Sequence, residues 1–510
     1  MTHRIILYLC FTLAFFGSDS VSATPVQTPE NAEARLSQGL AFLRSRDFQR
    51  AREEFKAAIK ANPTVAQGHL YLGVVENQLG NPTAAISNLR EALRLDSTSD
   101  AARYNLGLAL LKIGDRDQAV LEFQQAIQRN PAHTDARYNL GVLLSEKGQF
   151  REAIPHLEAA RKAKPGDFAG LIHLARAYLG DGQSGKAVEL LSPLRKQRIW
   201  QVHYLLALAF IASEKTEMAL SELREAVRLK PDDASIQYTL GSLLLRSKEP
   251  SDQDIGAEHV EKAIGLAPNE SDYYVALGRR LIQQQDFTRA VPLLRAGVEK
   301  SPPSVDLYLM LGLAEAQVHG ADVARPFIEK AVAMNPKIAP AMNLLGNCYF
   351  RLGSYAEAVN WYRKAVELNP QSDKYYYDLG LALERQNRFT EALPFVEKAI
   401  QIKPSHSGAH YLLGKLQLRL GRLAEAVKEF EICARLEQEP EFAYYQLARA
   451  YMKLGDAGRA QEWNAKLNEL KAVKDKRVGL SHPESGSSNL LESVEPWESQ
   501  ASGTSFKPSR

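Results

Sequence analysis

The chain has 510 residues, a net charge of +3 at pH 7 and an apolar content of 45%. A charge balance this close to neutral argues against general attraction to nucleic acid or to an anionic membrane surface. The apolar content is ordinary for a folded protein, and no long apolar run follows the N-terminal one.

The N-terminus has the pattern of a secretory signal peptide. Arg4 precedes an apolar run over residues 5–16, and small residues lie at 21–23. This pattern predicts a signal peptide over 1–23, cleaved after Ala23, and therefore export to a bacterial periplasm or the cell exterior. The run is shorter than the about 20 apolar residues of a membrane span. An uncleaved N-terminal anchor is the alternative.

A repeating unit follows a predicted linker over 24–30, and Lys337–Pro370 shows this unit most clearly. Apolar residues recur at helical spacing in its first half and again in its second half. Between the halves lies a glycine, and a proline closes the unit. This order predicts two helices joined by a tight turn, with too little buried surface to be stable alone.

Particular residues set the predicted ends of these two helices. Pro340 suits the first turn of a helix, where a missing N–H costs nothing. Gly353 ends the first helix because glycine adopts the left-handed conformation easily. Ser354 with Glu357 predicts a capping box at the start of the second helix. Pro370 stops that helix.

Two small residues recur in phase along the chain, one in each helix. We call the first the landmark residue; it is Gly39, Gly73, Gly107, Gly141, Ala175, Ala207, Gly241, Gly278, Gly312, Gly346, Gly380, Gly414 and Ala448. The second is an alanine of the second helix in most units, with Gly256 in that place in one unit. The pattern resembles the tetratricopeptide repeat, a helix-turn-helix of about 34 residues with Leu-Gly, Ala-x3-aromatic and a closing proline.

The resemblance implies an all-α fold. It predicts a right-handed α-solenoid, or superhelix, of about thirteen helix-turn-helix units over residues 31–471. Cys348 and Cys433 lie two or three units apart, too far for a disulfide. From 472 to 510 the sequence is rich in Ser, Gly and Pro and predicts a disordered tail with one apolar patch over 489–497.

The regular spacing of the landmark residues fails in two places. Ala175 and Ala207 are two residues too close, whereas Gly241 and Gly278 are three residues too far apart, with a polar insertion over 248–254 that we place in the turn between helices. Both departures are explained by loop variation, which solenoids tolerate. The alternative is a change of curvature between residues 190 and 260 that divides the array.

The sequence predicts no catalytic, cofactor-binding or metal site. Gly180–Lys186 matches the glycine and lysine spacing of a phosphate loop, but Ala187 replaces the required Ser or Thr and no strand precedes it. His406 and His410 are four residues apart, yet no third ligand lies nearby in sequence. We interpret His410 as a packing residue in a position that several units fill with tyrosine.

The resemblance implies a concave surface lined by the first helix of each unit, and two rows of side chains recur there. The tyrosine row, three residues before the landmark residue, is Tyr104, Tyr138, Tyr204, Tyr238, Tyr377, Tyr411 and Tyr445. The cation row, five residues after it, is Arg351, Arg385, Arg419 and Lys453, with Arg44, Lys112 and Arg246 earlier in the chain. Asn105 and Asn139 resemble the inner-face asparagines with which some family members hold a peptide backbone.

Tyrosine offers apolar area with a polar tip, and a line of cations suits an extended acidic peptide. The cations are equally explained as complements of the helix dipole. We therefore predict an exported, non-catalytic scaffold or adaptor that binds protein or extended peptide along the groove, without cofactor or nucleic acid. The alternatives are a membrane-anchored envelope-assembly subunit and a glycan-directed enzyme or enzyme accessory.

Overall fold

A computed structural model describes residues 32–438 and 440–478. The predicted signal peptide, linker and apolar patch of the tail lie outside the described residues. The described part contains 26 α-helices and one 3₁₀ helix, and no strand. None of these helices combines the length and the apolar character needed to cross a membrane. The predicted all-α solenoid class is confirmed.

The chain divides into two compact units, which meet in sequence at Pro231 and Asp232. This division falls within the stretch from 190 to 260 where the repeat spacing is irregular. The described part of unit 1 holds six helix pairs and a 3₁₀ helix. Its elements are α1 (Ala32–Arg44), α2 (Phe48–Ala61), α3 (Ala66–Gln78), α4 (Pro82–Leu95), α5 (Asp100–Lys112), α6 (Arg116–Arg129), α7 (Thr134–Glu146), α8 (Phe150–Ala163), α9 (Phe168–Gly180), α10 (Ser184–Leu191), the 3₁₀ helix Ser192–Gln197, α11 (Trp200–Ala212) and α12 (Thr216–Leu229).

Unit 2 continues the same pattern with seven helix pairs among its described residues. These are α13 (Ala234–Leu244) with α14 (Pro250–Leu266), α15 (Ser271–Gln283) with α16 (Phe287–Lys300), α17 (Val305–Val318) with α18 (Ala321–Met334), α19 (Ala339–Arg351) with α20 (Tyr355–Leu368), α21 (Asp373–Arg385) with α22 (Phe389–Ile402), α23 (Ser407–Arg419) with α24 (Leu423–Leu436), and α25 (Glu441–Leu454) with α26 (Ala457–Val478). The last helix thus runs past residue 472, where the tail was predicted to begin.

The predicted helix ends of the repeat at 337–370 are confirmed with one exception. Pro340 lies in the first turn of α19, and Gly353 follows that helix with a φ of +77°. The predicted capping box is wrong: Ser354 occupies the N-cap position of α20, but its hydroxyl makes no capping hydrogen bond. Its backbone N–H instead donates to the carbonyl of Tyr349 at 2.9 Å, which closes the turn without the side chain.

The landmark residues bring the two helices of a pair into close contact. A methyl group placed on Gly346 would lie 2.6 Å from the ring of Tyr362 on the partner helix, and Ala358 beside it is fully buried. Large side chains of the second helix fill the same space in other repeats, as Phe55, Phe123 and Phe430 do. The hydrophobic core of each unit therefore runs along the seam between its first and second helices.

The first helices lie on the inner side of each unit. Successive first helices contact one another, as α3 and α5 do in unit 1 and α21 and α23 in unit 2. No two second helices of the described part approach each other as extensively. Because first helices are closer together than second helices, the row of first helices forms the inner face within each unit.

The two irregular repeats depart from the pattern in different ways. In the short one, the second helix ends early at Leu191, the 3₁₀ helix follows, and Arg198 adopts a φ of +54°. In the long one, the insertion predicted as a turn is largely helical. Helix α14 begins at Pro250, since proline suits a first helical turn, and it is longer than the second helices of the regular repeats in unit 1.

Both cysteines of the described part, Cys348 and Cys433, are free and buried. Burial raises the pKa of each thiol to about 12. They occupy small-residue packing positions of the repeat, as the sequence predicts.

Candidate functional site

The tyrosine row lies at the seam between successive first helices. The amide nitrogen of Asn139 donates to the hydroxyl of Tyr104 at 3.4 Å, across 35 residues of sequence. The amide nitrogen of Gln446 donates to the hydroxyl of Tyr411 at the same distance and spacing. These tyrosines therefore join neighbouring repeats on the inner face.

Most members of the row are half-buried because an aromatic or imidazole ring of the next repeat packs against them. Ring centroids lie 4.6 Å apart in the pair Tyr104 with His133, 5.8 Å in Tyr138 with His173, 4.5 Å in Tyr238 with Tyr273 and 4.9 Å in Tyr377 with His406. Burial raises the pKa of Tyr238 to about 12. Tyr204 is also half-buried, whereas Tyr445 is 50% exposed. Tyr445 is thus the member of the row most open to a ligand.

The cation row divides into two groups by what its members contact. The ammonium of Lys112 donates to the carbonyl of Asn77, and a guanidinium nitrogen of Arg351 donates to the carbonyl of Ala316 at 3.4 Å. Both carbonyls belong to the last turn of the preceding first helix. These two cations therefore bind the carboxyl end of a neighbouring helix, where the dipole favours positive charge.

Every member of the row is exposed, and the remaining members have no such carbonyl partner among the described residues. Arg385 lies 3.9 Å from the carboxylate of Glu384, a weak contact. Arg419 and Lys453 form no ion pair or hydrogen bond with any described residue. Arg44 and Arg246 are likewise exposed, at or just beyond the ends of α1 and α13.

The two predicted asparagines bond within their own helices. The amide nitrogen of Asn105 donates to the carbonyl of Ala101 at 2.8 Å, and that of Asn139 donates to the carbonyl of Asp135 at 2.9 Å. Asn139 also joins Tyr104, as described above. Their amide donors are therefore engaged by the protein itself.

Helix α25, the first helix of the last repeat, presents an exposed stripe of which the sequence analysis predicted only Tyr445 and Lys453. Phe442 is 72% exposed and Met452 is 60% exposed, with Tyr445 between them on the same side of the helix. Arg449 lies over the Tyr445 ring, with its guanidinium carbon 5.6 Å from the ring centroid. We call Phe442, Tyr445, Arg449, Met452 and Lys453 the α25 stripe. Their spacing of three, four, three and one residues places them on one helix face.

Neighbouring α23 extends this surface. Arg419 is exposed at its end, and Tyr411 contacts Phe442 with ring centroids 6.5 Å apart. Lys415 is paired with Glu384 at 3.0 Å. The inner face of the last two repeats thus combines exposed apolar rings with unpaired cations.

A second set of recurring contacts was missed by sequence reasoning. A polar residue four positions before the landmark residue bonds a polar residue 19 positions later, on the second helix of the same repeat. The pairs are Arg35 with Glu54 at 3.0 Å, Arg103 with Glu122 at 3.4 Å, His203 with Glu222 at 2.7 Å and His410 with Glu429 at 2.6 Å. Opposite charge at a constant spacing of 19 is the signal that could have revealed them.

The same residue also reaches the carbonyl that closes the preceding repeat, six residues upstream. These contacts are His69 to Pro63 at 3.3 Å, Arg137 to Pro131 at 2.7 Å, Tyr274 to Pro268 at 3.0 Å and His410 to Pro404 at 3.0 Å. We call this contact the closing-carbonyl bond. It ties the end of one repeat to the first helix of the next.

The remaining sequence candidates have structural roles. The glycine-rich segment at 180–186 is the turn between α9 and α10, and Lys186 lies 5.4 Å from the centroid of the Tyr178 ring. His406 is the N-cap of α23, where its Nδ1 accepts from the N–H of Ala409 at 3.2 Å. No group of three potential metal ligands occurs among the described residues.

Family models match most of the chain from residue 27 to 472, and the longest gap between matches is 321–345. Models described as "Tetratricopeptide repeat" match 27–100, 104–168, 204–271 and 275–320, then 144–199 and 383–443, and 443–472; one described as "TPR repeat" matches 346–387. The chain belongs to the tetratricopeptide repeat family. The resemblance drawn from the landmark residues is confirmed. A search of curated proteins returned no significant match.

Two solved structures illustrate the similarity to other helical repeat proteins. One is "Structure of Naa15/Naa10 bound to HypK-THB", at 17% identity and a TM-score of 0.36, covering 85% of this chain and 67% of that one. The other is "Crystal structure of YrrB: a TPR protein with an unusual peptide-binding site", at 21% identity and a TM-score of 0.33, covering 37% of this chain and 95% of that one.

Proposed function

We propose that this tetratricopeptide-repeat protein is an exported, non-catalytic scaffold that binds an extended acidic peptide segment of a partner on the inner face of its last two repeats. The observation that carries the proposal is the division of the cation row. All four cations are exposed, but Lys112 and Arg351 bind backbone carbonyls of the fold. Arg419 and Lys453 have no ion pair or hydrogen bond with a described residue, and they lie near the exposed apolar side chains of α25.

The chemistry of this surface defines the partner. Exposed Phe442, Tyr445 and Met452 favour apolar side chains, and Arg419, Arg449 and Lys453 favour carboxylates. Aromatic rings that bury area and also carry a polar tip are common anchors at protein interfaces. A peptide that alternates acidic and apolar residues matches both features, whereas a basic peptide is repelled.

The test uses the chain from Thr24 onward and a display library of short peptides, from which binders are selected and then measured individually. We expect the selected peptides to be acidic with interspersed apolar residues. The double variant Arg419→Gln with Lys453→Gln should weaken binding by up to about 30-fold, since each exposed charge pair contributes up to about 1 kcal/mol. The salt dependence of binding should decrease with it.

A matched control removes the same charge elsewhere in the row. Lys112→Gln with Arg351→Gln deletes two cations that are also exposed but already bind backbone carbonyls of the protein. This control should keep peptide affinity while lowering stability. Equal loss of affinity in both double variants would show that only net charge matters and would overturn the location. Selection of basic or neutral peptides would overturn the acidic partner.

Export is a separate part of the proposal, and the N-terminal sequence supports it. The intact mass of the protein isolated from its native envelope fraction distinguishes a chain beginning at Thr24 from one that retains residues 1–23. Retention of those residues together with membrane association would favour the anchored envelope-assembly subunit instead. Peptide binding by the last two repeats is independent of that outcome.

A further inference from the structure

The closing-carbonyl bond is absent at His203, although this residue keeps the pairing with the second helix. In a regular repeat, His410 has a partner at each ring nitrogen: Nδ1 contacts Glu429 at 2.6 Å, and Nε2 contacts the carbonyl of Pro404 at 3.0 Å. His203 occupies the same position in α11, and its Nδ1 contacts Glu222 at 2.7 Å. Its Nε2 is buried and has no hydrogen-bond partner.

The short spacing of this repeat explains the difference. Gln197, six residues before His203, ends the 3₁₀ helix where regular repeats have the closing residue, and Arg198 follows in the left-handed region. The backbone therefore turns away from the position that a proline carbonyl normally holds. His203 is only 5% exposed, so the unmatched nitrogen is also withheld from bulk water. Leaving a buried polar group unpaired costs about 1–3 kcal/mol.

A cleft of about 450 Å³ lies at this point, between the 3₁₀ helix, α11 and α12. His203 lines it, as do Arg195 from the 3₁₀ helix and Arg224 and Arg228 from α12. A volume of this size is within the range of small-ligand sites, which is about 300–1,000 Å³. His203, whose Nε2 has no hydrogen-bond partner, thus lines a space large enough for a ligand.

The charges in the cleft favour an anion. Glu222 is 1% exposed and is neutralised by Arg195 together with the imidazole of His203. Glu225 is paired with Arg228, which lowers the pKa of that carboxyl. Arg224 is exposed and forms no ion pair with any described residue, so positive charge remains after both carboxylates are matched.

We propose that this cleft binds an anionic group, a carboxylate or a phosphate, with His203 Nε2 as its buried contact and Arg224 and Arg228 at its rim. In the imidazolium form of His203, Nδ1–H donates to Glu222 and Nε2–H donates to the bound anion. Guanidinium groups bind both kinds of anion in a two-pronged geometry. The site is separate from the inner face of the last two repeats and does not depend on the function proposed for them.

The test follows imidazole nitrogen signals of the full chain, labelled with ¹⁵N-histidine, during titration with inorganic phosphate and, separately, with acetate. We expect a saturable change at His203 with at least one anion. His410 serves as an internal control because both of its nitrogens already have partners. Saturation by phosphate alone identifies a phosphorylated ligand, and saturation by acetate identifies a carboxylate.

Two variants test the location of the bound anion. His203→Gln and Arg228→Gln should each weaken anion binding at least tenfold. Glutamine is compatible with the fold at position 203, because Gln237 fills the equivalent position in another repeat and contacts His259 at 2.6 Å. Arg94→Gln is the matched control, because Arg94 pairs with Glu91 at the same spacing on α4 as Arg228 with Glu225 on α12. The absence of a saturable change at His203 with either anion would overturn the proposal. So would an equal loss of affinity in Arg94→Gln.

Discussion

Gly241→Ala probes a place where the two helices of a repeat meet backbone to backbone. A methyl group on Gly241 of α13 would lie 2.7 Å from the carbonyl oxygen of Gly256 and 3.0 Å from the backbone nitrogen of Val260, both on α14. Backbone atoms cannot rotate away as side chains do. The two helices must therefore separate to admit a single methyl group.

The expected magnitude follows from two opposing effects. Inserting a methyl group into a packed interface costs about 1–3 kcal/mol, and contact with backbone places this site at the upper end. Alanine also favours the helix by up to about 1 kcal/mol relative to glycine, which offsets part of that cost. The net expectation is a loss of about 2 kcal/mol in the stability of this helix pair.

The assay combines urea unfolding, followed by far-ultraviolet circular dichroism, with hydrogen exchange of peptides that span α13 and α14. Exchange in these two helices should become faster than in distant repeats, because a repeat array opens locally. Gly265→Ala is the control: nothing lies within 4 Å of a methyl group there, so α14 should gain about 0.5–1 kcal/mol. A neutral or stabilising Gly241→Ala would refute the packing argument.

Two further predictions concern buried titratable groups. Cys348 and Cys433 should react with a thiol reagent at pH 8 only after the protein unfolds, since burial raises the pKa of both thiols to about 12; rapid reaction of the native chain would contradict their burial. Burial also raises the pKa of Asp378, whose carboxylate accepts from Asn343 at 2.9 Å. Because the pKa of Asp378 is higher in the folded state than in the unfolded state, the stabilising contribution of this carboxyl is present at low pH. That contribution is lost as pH rises from the ordinary aspartate pKa through the pKa of the folded state. Asp378→Asn should therefore raise stability at pH 7 and flatten that part of the pH–stability curve, measured by urea unfolding between pH 3 and 7; a less stable variant at pH 7 would contradict this sign.

The helix pairs were predictable because their determinants are local. Landmark residues at a constant spacing place Gly346 opposite Tyr362 whatever the rest of the chain does, and Gly353 ends its helix by backbone preference alone. The failed capping box at Ser354 shows the limit of such reasoning. There the N–H of Ser354, to which Glu357 would bind in a capping box, already donates to the carbonyl of Tyr349.

The roles of side chains on the inner face could not be predicted in the same way. Whether a cation reaches a carbonyl of the preceding first helix depends on the rotation between one repeat and the next, which no single repeat encodes. Lys112 and Lys453 occupy equivalent positions in the repeat and both are exposed, yet only Lys112 binds a carbonyl, that of Asn77. The sequence thus predicted the positions of the cation row, but not which of these cations bind backbone carbonyls of the protein itself.

The closing-carbonyl bond has a consequence for where this chain tolerates changes in length. Extra residues between the two helices of one repeat leave the bond intact: after the lengthened α13–α14 pair, Tyr274 still bonds Pro268 at 3.0 Å. Missing residues between two repeats remove it, as at His203. The insertion within a repeat therefore leaves the joint to the next repeat intact. The shortening between repeats leaves a buried nitrogen unpaired, and such joints are where an array of similar units can acquire new chemistry.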